Sequence, residues 1–226
     1  MPGADEGAHS PTLLHELLAE ARALGFLGPG PLQPQILHAQ GFAAVGRRLS
    51  PGWPVLLADL GSGGGLPGLV TATEWPAATL VLIEANGRRA SFLRRAVERL
   101  ALEARVSIVE ERAELCGRDA SVRAGFDGVL ARSFGRPAVL AECAAPLLRV
   151  GAWLLVSEPP RQDELYEQDR PDGQDVRWPP EPLRQFGLQP AEVVHEGFEY
   201  RVLRQVEACP ERFPRRNGVP AKKPLF

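Results

Sequence analysis

The residues best placed to do chemistry sit in DLGSGGGLPG, positions 59–68, where five of ten residues are glycine directly after the apolar run Val55-Leu56-Leu57-Ala58. Glycine removes the Cβ, so a loop of this composition between a strand and a helix lets a ligand lie against bare backbone. Two acids flank it. Asp59 ends the first apolar run, and Glu84 ends the next one, where a carboxylate can accept hydrogen bonds from both hydroxyls of a ribose. Gly63-x-Gly65-x-x-Gly68 formally satisfies the dinucleotide fingerprint, so a nicotinamide or flavin ligand is one reading and a plain tight turn is another.

Positioning such a loop requires alternating strands and helices, and the sequence supplies them. VLLADL (55–60), TLVLIEA (79–85), RVSIVE (105–110), FDGVLARS (126–133) and AWLLVSE (152–158) read as strands. Helices are expected from near Pro67, over NGRRASFLRRAVERL (86–100) and from Pro137 to Leu148. Continuous apolar strands separated by helices predict a parallel sheet covered on both faces, with ligands at the carboxyl ends of the strands. The runs 191–194 and 200–206 suggest a terminal antiparallel pair. Ahead of this, Ser10-Pro11 opens an amphipathic helix that runs to Gly25. A Gly/Pro connector (25–34) leads to a weaker helix from Gln35 to Leu49 that carries Gly41 and Gly46 inside it. The expected organisation is an N-terminal helical cap (1–54), an α/β domain (55–208) and a basic tail (209–226).

Asp59 decides between the ligands. The string Asp59-x-Gly61-x-Gly63-x-Gly65 resembles the first motif of class I methyltransferases that use S-adenosylmethionine. A sulfonium cofactor has no diphosphate, so a carboxylate at the strand end is tolerated there, whereas beside a diphosphate it would repel. The expected fold class is accordingly a Rossmann-like methyltransferase sheet, mostly parallel with a terminal antiparallel strand.

GSGGGLPG, EANGRRASFLRRA (84–96), ERAE (111–114), FDGVLARSF (126–134) and the closing FPRRNGVPAKKPL together resemble the bacterial 16S ribosomal RNA guanine-N7 methyltransferases of the RsmG (GidB) type. The resemblance implies that Gly61, Leu66, Ala113 and Glu114 contact S-adenosylmethionine, together with Asp59, Gly63, Gly65 and Glu84. Arg132 would stand beside the cofactor near the point of methyl transfer. It also implies 16S rRNA in the small ribosomal subunit as partner, with Arg212, Arg215, Arg216, Lys222 and Lys223 of the tail as RNA contacts. Guanine N7 carries a lone pair and no proton, so its methylation needs alignment rather than a general base.

The rest of the sequence narrows the alternatives. Cys116, Cys143 and Cys209 are scattered without a paired spacing, and the four histidines are dispersed, so neither a disulfide framework nor a metal site is expected. No apolar run is long enough to span a bilayer and the first residues lack signal-peptide character, so a cytoplasmic protein is expected. A net charge of −2 means that RNA would be gripped by local patches. On the 87–100 helix, Leu93, Ala96, Val97 and Leu100 form the buried face, leaving Arg88, Arg95 and Arg99 to solvent. The chain also departs from the family pattern. The Asn-Leu-Thr segment is replaced by GFLGPGPLQP, the Asp-Ser pair after the histidine by Ala39-Gln40, and the Lys-Gly after the fifth strand by Ser157-Glu158. A methyltransferase for another RNA or a small molecule, or a non-catalytic cofactor-binding or ribosome-associated paralogue, are the alternatives these departures raise.

Overall fold

The computed structural model describes residues 11–52, 55–158 and 177–226. One seven-stranded sheet organises them, in the order β3-β2-β1-β4-β5-β7-β6. Strands β1 (Val55–Leu60), β2 (Ala78–Ile83), β3 (Val106–Val109), β4 (Phe126–Ala131) and β5 (Leu148–Ser157) run parallel. β7 (Glu199–Gln205) lies antiparallel between β5 and β6 (Leu188–His195), which is the expected terminal pair.

Period-2 alternation sends each strand's side chains to two cores. Leu57 and Trp153 enter one, with helices α1 (Pro11–Ala23), α2 (Leu32–Leu49), α3 (Gly68–Glu74) and α4 (Gly87–Arg99). Ala58, Leu60 and Leu154 enter the other, with α5 (Ala113–Cys116), α6 (Pro137–Ala144) and Phe213 of the tail. Both faces are therefore dry, as a continuous apolar strand demands. A short helix α7 (Pro180–Arg184) precedes β6, and α8 (Val219–Lys222) closes the chain.

Helix α2 shows why its sequence is glycine-weakened. A Cβ on Gly41 would lie 2.0 Å from the Tyr200 hydroxyl, and one on Gly46 would lie 2.7 Å from the Trp75 ring. Each glycine costs about 1 kcal/mol of helix propensity. The cost is offset by burial of Phe42, Trp75 and Tyr200, whose side chains are each worth about 2 kcal/mol or more when removed from water. Residues 11–49 thus share a core with the sheet. No helix among the described residues is long and apolar enough to cross a membrane.

Two sequence expectations are corrected. The helix expected over 137–148 ends at Ala144 and tightens into a 3-10 turn, Ala145–Leu147, because Pro146 has no N–H to continue the ladder. β5 then starts at Leu148 rather than at Ala152, with a register shift against β4 between Phe126 and Gly128. Ser10 and residues 159–176 lie outside the described residues.

Candidate active site

The carboxyl ends of β1, β2 and β4 converge on one cleft. Asp59 is buried to 1% exposure at the end of β1. Its Oδ2 accepts the Gly68 N–H at 3.1 Å, while Oδ1 is buried with no hydrogen-bond partner. Burial, reinforced by the charge of Glu84 and opposed by the Ser62 and Gly68 hydrogen bonds and by Arg132, raises its pKa from 3.8 to about 7. Glu84 is also buried. Its Oε2 accepts the Gly63 N–H at 2.8 Å and its Oε1 the Asn86 N–H at 2.8 Å, leaving each oxygen a further lone pair.

Much of the glycine loop's donor capacity is met within the chain. Gly61 and Ser62 N–H donate to the Ile83 carbonyl, Gly65 N–H to that of Ser62, and Gly63 and Gly68 N–H to the two carboxylates. A dinucleotide site needs such amides free for a diphosphate. Here the Gly63 and Gly68 amides are taken by two carboxylates that stand in the same place and would repel a diphosphate, so the site favours a ligand that carries positive charge. Gly65 sits at φ +96°, a conformation that side chains rarely adopt. The bareness also serves close packing from elsewhere in the chain. A Cβ on Gly61 would lie 2.8 Å from the Phe134 ring, and one on Gly64 would lie 2.7 Å from Leu27 Cδ2 and 3.1 Å from the Phe26 carbonyl. The connector read from the sequence as a spacer is therefore laid across the glycine loop.

Arg132, one residue beyond β4, is half-buried beside Asp59, His38 and Tyr200, and its Nη2 donates to Gln35 Oε1 at 3.2 Å. Desolvation lowers its pKa, and the charge of Asp59 opposes that shift. Leu66 is buried in the loop, and Ala113 is buried at the start of α5. Glu114 follows it, and its Oε1 accepts the Gly218 N–H of the tail at 2.9 Å. Sequence reasoning missed Gln35, His38, Phe134 and Tyr200, whose only route to this cleft is through tertiary contact.

The basic residues divide. Arg215 does not stand free. Its guanidinium makes a bidentate pair with Glu142, which is fully buried, at 2.7–3.1 Å, and its Nη2 also reaches the Lys223 carbonyl. Arg123 donates to the carbonyls of Gly117, Cys209, Pro210 and Phe213, and Arg118 to that of Pro214, so the tail is docked onto the sheet's second core. Arg212, Arg216, Lys222 and Lys223 remain exposed on it. Along α4, Arg95 and Arg99 reach Glu20 of α1, whereas Arg88 and Arg89 lie about 6 Å from the Phe26 ring centre. Glu158, the acid at the end of β5, is engaged by Arg177 and the Trp178 indole. Among the described residues there is no group of three His, Cys, Asp or Glu side chains able to hold a metal.

Comparison with known proteins adds the following. Residues 44–171 match the GidB family, described as rRNA small subunit methyltransferase G. A ribosomal RNA small subunit methyltransferase G from Thermotoga sp. (strain RQ2) is 37% identical over 170 residues, covering 75% of this chain and 72% of that one. Its counterpart from Rubrobacter xylanophilus is 37% identical over 173 residues, covering 75% and 64%. Among solved structures, an O-methyltransferase from Bacillus cereus in complex with SAH superposes with TM-score 0.56 at 18% identity, covering 88% of this chain and 94% of that one. A putative O-methyltransferase from Klebsiella pneumoniae gives TM-score 0.56 at 18% identity, covering 90% and 91%. The structural likenesses establish the methyltransferase fold.

Proposed function

The chain belongs to the GidB family of rRNA small subunit methyltransferases, and from that premise we propose that it methylates guanine N7 of 16S rRNA in the small ribosomal subunit, using S-adenosylmethionine. The observation that carries the reading is the buried Asp59 carboxylate, with Oδ1 unpartnered beside a glycine loop whose Gly63 and Gly68 amides are already taken by Glu84 and Asp59. That arrangement suits the α-ammonium at the amino acid end of this cofactor, while the free lone pairs of Glu84 suit its ribose hydroxyls. When bound, the cofactor supplies a methyl group on an electron-poor sulfur.

The chain's own residues then bind and align. Asp59, Gly61, Gly63, Gly65, Leu66 and Glu84 form the floor of the cleft. Ala113 closes its far side, and Glu114 holds that turn in place through Gly218. Guanine N7 attacks through an in-plane lone pair and loses no proton, so orientation supplies the rate enhancement and no side chain has to act as a base. The thiols fit this account. Burial pushes Cys116 up to about 11 and Cys143 higher still, so neither is a nucleophile at neutral pH. Arg132 offers a guanidinium to a carboxylate or a phosphate at the cleft mouth. On N7 itself it would block the reaction.

The test is transfer of labelled methyl from S-adenosylmethionine to 30S particles, followed by mapping of the modified base. Label at a guanine that becomes cleavable after N7-specific chemistry is the expected result. An unlabelled RNA alongside a labelled metabolite pool would overturn the substrate assignment.

A further inference from the structure

Arg132 is approached from a direction that none of the glycine-loop motifs marks. Helix α2 passes the end of β4, where Gln35 bonds the guanidinium and the guanidinium's charge reaches His38, one turn further on. Gln35 uses both ends of its amide. Its Oε1 accepts from Arg132, and its Nε2 donates to the carbonyls of Gly28 at 3.3 Å and Gly30 at 3.0 Å. The orientation of the amide follows from its partners, since a guanidinium can only donate and a carbonyl can only accept.

The surroundings fix where α2 lies. The Tyr200 hydroxyl donates to the His38 carbonyl at 2.6 Å, in the space left by the missing side chain of Gly41. The His38 ring stacks on Phe198 at 4.5 Å, its Nε2 is buried without a partner, and burial with the Arg132 charge holds the ring neutral, with a pKa of about 4. The guanidinium therefore bonds a carboxamide oxygen, with the neutral His38 ring and the Asp59 carboxyl within electrostatic reach and no opposing cation among them.

We propose that Gln35 is the positioning residue for Arg132, clamping its guanidinium at the cleft mouth and tying it to the connector that lies across the glycine loop. The proposal rests on the methyl-transfer reading of this site. An arginine side chain left to itself samples many rotamers, and one charge-assisted hydrogen bond removes that freedom at the atom that meets substrate. Because the same amide holds Gly28 and Gly30, the connector and Arg132 keep a fixed relation to each other.

Three variants test this in the full chain: Gln35→Leu removes all three bonds, Gln35→Glu keeps the acceptor for Arg132 but not the donor to the connector, and Arg132→Ala removes the partner. Gln35→Leu is expected to lower kcat for 30S methylation about ten-fold, the scale of one hydrogen bond to a charged group, with little change in KM for the cofactor. Gln35→Glu should recover most of that loss, and in the Arg132→Ala background Gln35→Leu should add nothing further. An equal loss for Leu and Glu, or the same factor with and without Arg132, overturns the proposal. A second readout does not depend on transfer. The nitrogen-15 guanidinium resonance of Arg132 should be that of a restrained group in the parent and in Gln35→Glu, and of a freely rotating one in Gln35→Leu. Failure of the parent protein to label any RNA would instead count against the methyl-transfer reading, while an unchanged resonance in Gln35→Leu would count against the clamp.

Discussion

Lowering the pH from 7 to 5 should weaken cofactor binding through Asp59. The free protein holds this carboxyl at a pKa of about 7, mainly because it is buried. A cofactor ammonium beside Oδ1 favours the ionised form and returns the pKa toward the ordinary value near 4, so binding expels a proton. Apparent Kd then scales as one plus the ratio of protonated to ionised carboxyl, which is about 2 at pH 7 and about 100 at pH 5, a weakening of about fifty-fold. Folding carries the opposite sign. The carboxyl keeps its proton to a higher pH in the native than in the unfolded chain, where 3.8 applies, so its contribution is greatest below pH 4 and is lost as pH rises through 7. Three units at 1.36 kcal/mol each set the upper limit at about 4 kcal/mol. Titration calorimetry with S-adenosylhomocysteine between pH 5 and 8, in buffers of different ionisation enthalpy, reads both the affinity and the protons released. About half a proton should be released at pH 7. Asp59→Asn should flatten the profile. A parent affinity that does not change over this range, or an Asn variant with the parent's slope, would refute the role assigned to the unpartnered oxygen.

Arg132→Ala should lower turnover on 30S particles at least ten-fold while shifting the melting temperature by only a few degrees, and comparable losses in both would make it a structural residue instead. Arg215→Ala should destabilise the fold by about 3–5 kcal/mol in urea titration, because it strands the buried Glu142 carboxylate; a change below about 1 kcal/mol would contradict this. Replacing the exposed Arg216, Lys222 and Lys223 should leave the urea midpoint nearly unchanged and reduce the salt dependence of small-subunit binding, by about one unit of slope for each phosphate no longer neutralised. Gly63→Val places a branched side chain on a backbone at φ +55° and should abolish cofactor binding in calorimetry.

The parallel strands were legible because most of their residues are buried against one core or the other and so read as apolar runs, most completely in β1. β1 begins and ends where VLLADL does. Asp59, Glu84 and the glycines were legible for a related reason: a site at strand ends is spelled out locally, strand by strand. The N-terminal helices were legible too, but what they cover was not. Gln35 meets Arg132 across 97 residues, and the His38 carbonyl meets Tyr200 across 162. A Gly/Pro segment such as 25–31 carries no periodicity to announce what it covers. Helix α2 starts at Leu32 rather than Gln35 because Pro34 falls in the first turn, where a missing N–H costs nothing. The exposed sequence of the tail likewise conceals its partners, since Glu142 lies 73 residues from Arg215 and Glu114 lies 104 from Gly218.

That last arrangement makes the fold depend on its final residues. A ribosome that stops before Arg215 releases a chain in which Glu142 sits in an apolar wall with no counter-ion, and any stop before Phe213 also deprives the four-carbonyl clasp of Arg123 of a member. Such a fragment retains every cleft residue from Asp59 to Arg132, yet it opens far more often and meets cellular proteases in that state.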